Sequence, residues 1–502
     1  MATQEHVSRL VWGALMPGVS GSGVEPWHRA AFAAGVESVC LFADAVGSPA
    51  RVAATVRALR RVVPSLLIAT DEEGGEVTRV EAVAGSSLLS ARALGVIGDV
   101  EVTRAQARLQ ARLLRRAGVD WTFAPVADVN VDPRNPVIGV RSFGLDAAQV
   151  GEQVAAAVEG LQQGGIAATA KHFPGHGDTH VDSHEDLPTL DVDLATLEAR
   201  ELVPFRHAIG AGVASVMTGH LRVPVIDPVA PMSLSRAATT GLLREQLGYA
   251  GVVVTDAVEM GAVSGPGREH LAAAVVAGLL AGADVVCLGA EGQERAVSDS
   301  ADAVFAALAD GTLSVEVLED AARRRASLRY IGARSAAADL EALVDADVER
   351  LSAAAPRSLA ISGEARVRTP GVDILTVAAR PGYAAGPTGW RLAQRLVAAG
   401  FDVREVSSAV PDDTDRDLVI EVRDAWKDPA LTAELSEALD ARPDAVVVDV
   451  GWPAPPTVSV RGYVATHGTG ALAATLVAAV LAGRDPVDAA RSLIRRTQQE
   501  TP

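Results

Sequence analysis

Residues 166–188 read IAATAKHFPGHGDTHVDSHEDLP, an apolar run followed directly by a cluster of titratable groups. Four of the chain's ten histidines fall here, at 172, 176, 180 and 184, beside Asp178, Asp182, Glu185 and Lys171. Residues 166–171 suit a short buried strand, and Pro174, Gly175 and Gly177 stop any regular element after it. The chemistry therefore sits on a loop leaving the carboxyl end of a strand. On a helix, histidines four residues apart would share a face and could hold a metal ion. This stretch disfavours a helix, so no metal and no cofactor are expected.

Seven further β-favouring runs flank this one, at residues 10–15, 38–42, 66–70, 119–126, 214–218, 252–255 and 285–288. Between most of them lie stretches of helical periodicity, such as 102–117 and 147–162. Glycines 35, 118, 165, 212, 251 and 282 stand just before strands, where the left-handed turn that closes a helix is needed. Eight strand and helix units predict an N-terminal (β/α)8, TIM-like barrel; a doubly wound open sheet is the structural rival. A barrel requires its polar residues just after the strands. Asp71-Glu72-Glu73, Asp128, the histidine loop, Thr218-Gly219-His220 and Asp256 all meet that requirement. Any one carboxylate there could be a helix cap, but so many in succession need another explanation.

Beyond the barrel, residues 291–363 read as helix with no convincing strand. A second alternation then places strands at 373–377, 401–406, 418–422, 445–450 and 463–465, which predicts a smaller α/β/α sandwich. The expected division is 1–335 for the barrel with its trailing connector helices and 336–502 for the sandwich, with no catalytic residues in the latter. At 502 residues, two domains are the natural expectation. A net charge of −18 argues against nucleic acid or an anionic membrane as partner. Of 45 basic residues only Lys171 and Lys427 are lysine, which singles out Lys171 as a compact donor where arginine is the rule. Cys40 and Cys287 lie in separate apolar runs and read as buried thiols. Nothing at the N-terminus resembles a signal peptide and no run is long enough to span a bilayer, so the cytoplasm is the expected compartment and a monomer is favoured.

Asp182 stands two residues before His184, where it can accept one ring N–H and leave the other nitrogen to move a proton. With a facing carboxylate, Asp256, the pair has the division of labour of retaining glycoside hydrolysis, an imidazole replacing the usual carboxylic acid. Lys171, His172, Asp71 and Arg141 offer the directional hydrogen bonds that a polyhydroxylated sugar requires. His176, Asp178 and His180 are expected to order the loop, and Glu72 and Glu73 to brace a strand end.

The ordered motifs DEEGG, RSFG, KHFPGHGDTHVDSHEDLP and GVVVTDAVEM resemble those of glycoside hydrolase family 3, specifically its β-N-acetylhexosaminidase branch, over about residues 8–290. The resemblance implies a retaining hydrolase that removes terminal non-reducing β-linked N-acetylglucosamine, commonly from peptidoglycan fragments during cell-wall recycling. It assigns Asp256 as nucleophile, His184 as acid/base and Asp182 as its partner. Asp71, Arg141, Lys171 and His172 match sugar-binding positions, and Thr218-Gly219-His220 resembles a strand-six motif that would bring His220 to the pocket. In one place the chain departs: Glu76 stands after Gly74-Gly75 where the family usually has Arg, which affects the charge balance near Asp71. A β-N-acetylglucosaminide phosphorylase using the same residues is the alternative within enzymes. A non-catalytic sugar-binding protein is the alternative outside them.

Overall fold

The computed structural model describes residues 3–499, apart from 22, 43–44, 182–186, 266–269, 291–292, 335–336, 380–388, 407–409, 411–412 and 455–459. The chain is a mixed α/β protein. Its first element is a helix, Gln4–Gly13, capped by Thr3, whose hydroxyl accepts the His6 amide at 3.2 Å. This overturns the expected strand at 10–15. Val7, Leu10, Val11 and Ala14 recur at helical spacing and face the core, so the run belongs to a helix face. Strand begins only at β1 (Leu15–Met16) and resumes after Pro17 as β2 (Gly18–Val19).

The remaining strands of this half are β3 (Ser38–Leu41), β4 (Leu67–Thr70), β5 (Trp121–Thr122), β6 (Thr169–Phe173), β7 (Ser215–Thr218), β8 (Val252–Thr255) and β9 (Val286–Cys287). All pair in parallel, and among the described residues they fall into three sheets, β1-β9, β2-β3-β4-β5 and β6-β7-β8. Single parallel bridges, Trp121 to Ala167 and Val254 to Val285, link residues of neighbouring sheets. Helices such as Val100–Ala117 and Ala147–Gln163 connect consecutive strands; Asp99 and Asp146 cap their N-termini, and Gly118 closes the first with φ of 83°. Inward-facing Met16, Cys40, Ala69, Trp121, Met217 and Val254 belong to one apolar cluster, together with Cys287. Within it the buried Trp121 indole donates to Thr169 Oγ1 at 2.7 Å and Ser215 Oγ at 2.8 Å. Both cysteines are buried and free.

Helices Gln293–Ala309, Val315–Arg334 and Ala337–Ala354 fill the expected helical region. Arg108 on helix Val100–Ala117 pairs with Asp347 at 2.5 Å, which fastens Ala337–Ala354 to the first half of the chain. The reading of 291–363 as wholly helical fails at its end, where β10 (Ala360–Gly363) forms an antiparallel edge strand. Four exposed residues on a sheet edge carry too little pattern to be recognised locally. With β11 (Gly371–Ala378), β12 (Asp402–Val406), β13 (Asp417–Arg423), β14 (Val446–Asp449) and β15 (Gly462–Ala465) it makes a six-stranded sheet, ordered β10-β15-β14-β13-β11-β12. Val419 packs into one apolar cluster and Leu418 and Ile420 into another, so helices cover both faces. No helix among the described residues is long and apolar enough to cross a membrane.

Candidate active site

Parallel strands deliver their next residues to one end of a sheet, and here that end is a cavity of about 370 Å³. Asp71 follows β4, Lys171 and His172 lie on β6, and Asp256 follows β8; all four line the cavity, together with Arg141. The Asp256 amide donates to the Thr218 carbonyl at 3.0 Å, and its carboxylate accepts the Ala257 amide at 2.8 Å, so neighbouring backbone orients the side chain.

At one wall two carboxylates and two cations are interleaved. Lys171 Nζ lies 2.7 Å from Asp71 Oδ1 and 2.6 Å from Glu73 Oε1. Arg141 holds Glu73 through two bonds of 2.8 and 2.9 Å and donates to the Val137 carbonyl at 3.0 Å. Burial opposes ionisation of Glu73, yet Arg141 and Lys171 together outweigh it and hold the carboxyl well below its ordinary range. Burial likewise opposes the charge on Lys171, and the adjoining Asp71 and Glu73 reverse that, raising the ammonium. Glu73 therefore does more than brace a strand end. It is the anion that holds two buried cations in place.

Asp128, fully buried, orders the loop after β6: its carboxylate accepts the amides of His172 at 3.1 Å and His176 at 2.8 Å, and pairs with His172 Nδ1 at 2.8 Å. His172 Nδ1 thus carries a proton directed at Asp128. The other histidines part company, His180 going to Asp132 at 2.8 Å, while Asp178 pairs with Arg200 at 2.6 Å. These two order the loop as expected. His176 does more, since it lines the cavity. Thr179 Oγ1 donates to the His176 carbonyl at 3.1 Å and so accepts from His176 Nδ1 at 2.7 Å. The buried Nε2 has no partner among the described residues, and burial pushes the ring down to about 4. A neutral imidazole with a bare acceptor is suited to a hydroxyl or amide N–H. Its only sequence signal was membership of the loop.

His220 lies just after β7. Its ring is fully buried and is not among the residues lining the cavity: Nε2 donates to the Ala257 carbonyl at 3.0 Å, and Ser233 Oγ donates to Nδ1 at 2.6 Å. It steadies the residue after Asp256 from behind. Glu259 lines the cavity and accepts the Ala290 amide at 2.6 Å. Asp182 and His184 lie outside the described residues.

Glu72 braces the strand end, accepting the amides of Arg79 and Val80 at 2.9 Å each. Burial lifts its carboxyl from the ordinary 4.5 to about 7. The folded state therefore prefers the protonated form, and stability declines as pH rises from about 4.5 to 7 and levels above that. Glu72→Gln removes this dependence. The melting temperature of the variant should exceed that of wild type at pH 8 by more than at pH 5, a differential of up to about 3 kcal/mol. A differential of the opposite sign in paired thermal melts would show that Glu72 is ionised in the native state.

A family model described as the glycosyl hydrolase family 3 N terminal domain matches residues 31–328. Among curated relatives, Beta-hexosaminidase A of Pseudoalteromonas piscicida is 35% identical over 246 residues, covering 45% of this chain and 41% of the relative. Beta-hexosaminidase LpqI of Mycobacterium tuberculosis is 40% identical over 229 residues, covering 44% and 57%. The chain thus matches about half the length of these two relatives. Among solved structures, a glycoside hydrolase family 3 β-N-acetylglucosaminidase from Paenibacillus sp. str. FPU-7 superposes with a TM-score of 0.83 at 31% identity, covering 96% of this chain and 97% of that one.

Proposed function

Because the chain belongs to glycosyl hydrolase family 3, in its β-N-acetylhexosaminidase branch, we propose that it is a retaining glycosidase releasing terminal non-reducing β-linked N-acetylglucosamine. The observation that carries this reading is the shared cavity: Asp256 opens onto the same space as Asp71, Arg141, Lys171 and His172. Its charged lining mixes Asp71, Glu73, Asp256 and Glu259 with Arg79, Arg141 and Lys171, which suits a neutral, hydroxyl-rich ligand.

In the proposed mechanism Asp256 attacks the anomeric carbon. The glycosidic bond breaks, and His184 gives its proton to the departing oxygen. Asp182 holds the His184 ring. His184 then takes a proton from water, whose oxygen displaces Asp256 and restores the β-configuration. Asp71, Arg141, Lys171 and His172 orient the sugar, and peptidoglycan fragments are the proposed natural source of substrate. The three parallel sheets are read as one (β/α)8 barrel. Support comes from the Trp121 to Ala167 and Val254 to Val285 bridges and from the single apolar cluster to which all but two of the strands contribute. Residues 1–335 would form that barrel with its connector helices, and 336–502 the second domain.

The test is product analysis on a chromogenic β-N-acetylglucosaminide, with and without inorganic phosphate, following the anomeric proton by NMR. β-N-acetylglucosamine as first product in both conditions is the expected result. A sugar 1-phosphate would convert the reading to phosphorolysis, an α first product would exclude retention, and no cleavage would exclude the substrate.

A further inference from the structure

Glu76 and Arg423 are 347 positions apart, and both are buried, 6% and 7% exposed. Arg423 Nη2 lies 2.5 Å from Glu76 Oε2. Glu76 belongs to a tight turn: Gly74 pairs with Val77 in an antiparallel bridge, and the Glu73 amide donates to the Val77 carbonyl at 2.9 Å. Gly74 and Gly75 carry φ of 86° and 60°, which the turn demands. Glu73, Val77 and Arg79 from this short segment all line the cavity, so the side of the turn away from Arg423 is active-site wall.

Arg423 is the last residue of β13, and the carboxyl ends of the neighbouring strands reach the same segment of the first domain. The Trp452 ring, after β14, lies under the Arg92 guanidinium at 4.8 Å. The His467 carbonyl, after β15, accepts from Ser90 Oγ at 2.5 Å, and the Leu472 amide donates to the Ser86 carbonyl at 3.1 Å. In the second domain, the end of a parallel sheet where ligands commonly bind is thus occupied by residues 76–92 of the first.

We propose that the second domain is a positioning element, and that the Arg423–Glu76 pair holds the 73–77 turn so that Glu73 keeps Lys171 and Arg141 aimed at the sugar. The kinetic part of this inference rests on the glycosidase reading; the mechanical part does not. A guanidinium at the position of Glu76 would meet Arg423 as a like charge.

Two measurements on the full-length protein decide it. In hydrogen exchange, amides 73–79 of Arg423→Ala should exchange roughly tenfold faster or more than in wild type, with Arg423→Lys retaining most of the protection. In kinetics on a β-N-acetylglucosaminide well below the melting temperature, Glu76→Arg and Arg423→Glu should each raise KM roughly tenfold with a smaller change in kcat. The Glu76→Arg/Arg423→Glu double variant should return KM to within about threefold of wild type. Unchanged exchange at 73–79 overturns the proposal, as does faster exchange with wild-type KM, which would make the pair structural only. A wild type that cleaves no glycoside sinks the glycosidase reading instead, and exchange alone then decides whether the clamp exists.

Discussion

Asp256→Ala is expected to lower kcat on a β-N-acetylglucosaminide by on the order of 10⁴-fold, because the proposed covalent route loses its nucleophile while the wall of Asp71, Glu73, Arg141 and Lys171 stays intact. The side chain is only half-buried, at the end of β8 and outside the apolar core. Stability should therefore move by no more than about 1 kcal/mol. The measurement is kcat alongside circular dichroism and a thermal melt. A folded variant that turns over like wild type would place the nucleophile elsewhere. A variant that loses activity only because it unfolds would show instead that Asp256 holds β7 and β8 together.

Glu73→Gln should produce the second large effect. Arg141 and Lys171 are both nearly fully buried, and Glu73 is the anion they share. A neutral amide leaves Asp71 to balance two buried cations. Breaking such a network by removing one partner costs about 3–5 kcal/mol. Sugar affinity should fall with it, since both cations lose their aim. The pH dependence has a defined sign. A carboxyl held below its ordinary range stabilises the fold at all pH values above that range, and the contribution is lost as pH falls from about 4.5 toward the lower native value. Wild type and Glu73→Gln melts should therefore converge in strong acid, separate as pH rises to about 4.5, and keep a constant gap above it. Parallel curves across that window would mean that Glu73 is already protonated in the folded protein. Glu72, one residue away, has the opposite sign, because burial outweighs its hydrogen bonds and the nearby Arg79 charge.

Local pattern revealed strands where an apolar run was bounded by glycine and polar residues, as at Ser38–Leu41, Val252–Thr255 and Val446–Asp449. It misled at residues 10–15, where Leu10 and Val11 pack on the core as a helix face, and it passed over Ala360–Gly363, an exposed edge. In the site, the motifs led to Asp71, Arg141, Lys171, His172 and Asp256, all of which line one cavity. They undervalued Glu73 and His176. A motif names residues near the chemistry without giving the direction each side chain takes.

The amino-acid order alone determined that strands alternate with helices, that polar residues collect after the strands, and that the loop after Phe173 cannot continue as regular structure. These are properties of neighbours within a few positions, governed by backbone sterics and by the two hydrophobic periods. The burial of Glu73 between two cations, the burial of His176 Nε2 and the meeting of Glu76 with Arg423 were decided only when distant segments packed. Whether a buried charge finds its counter-charge depends on which chains share the space, and that is a property of the folded whole.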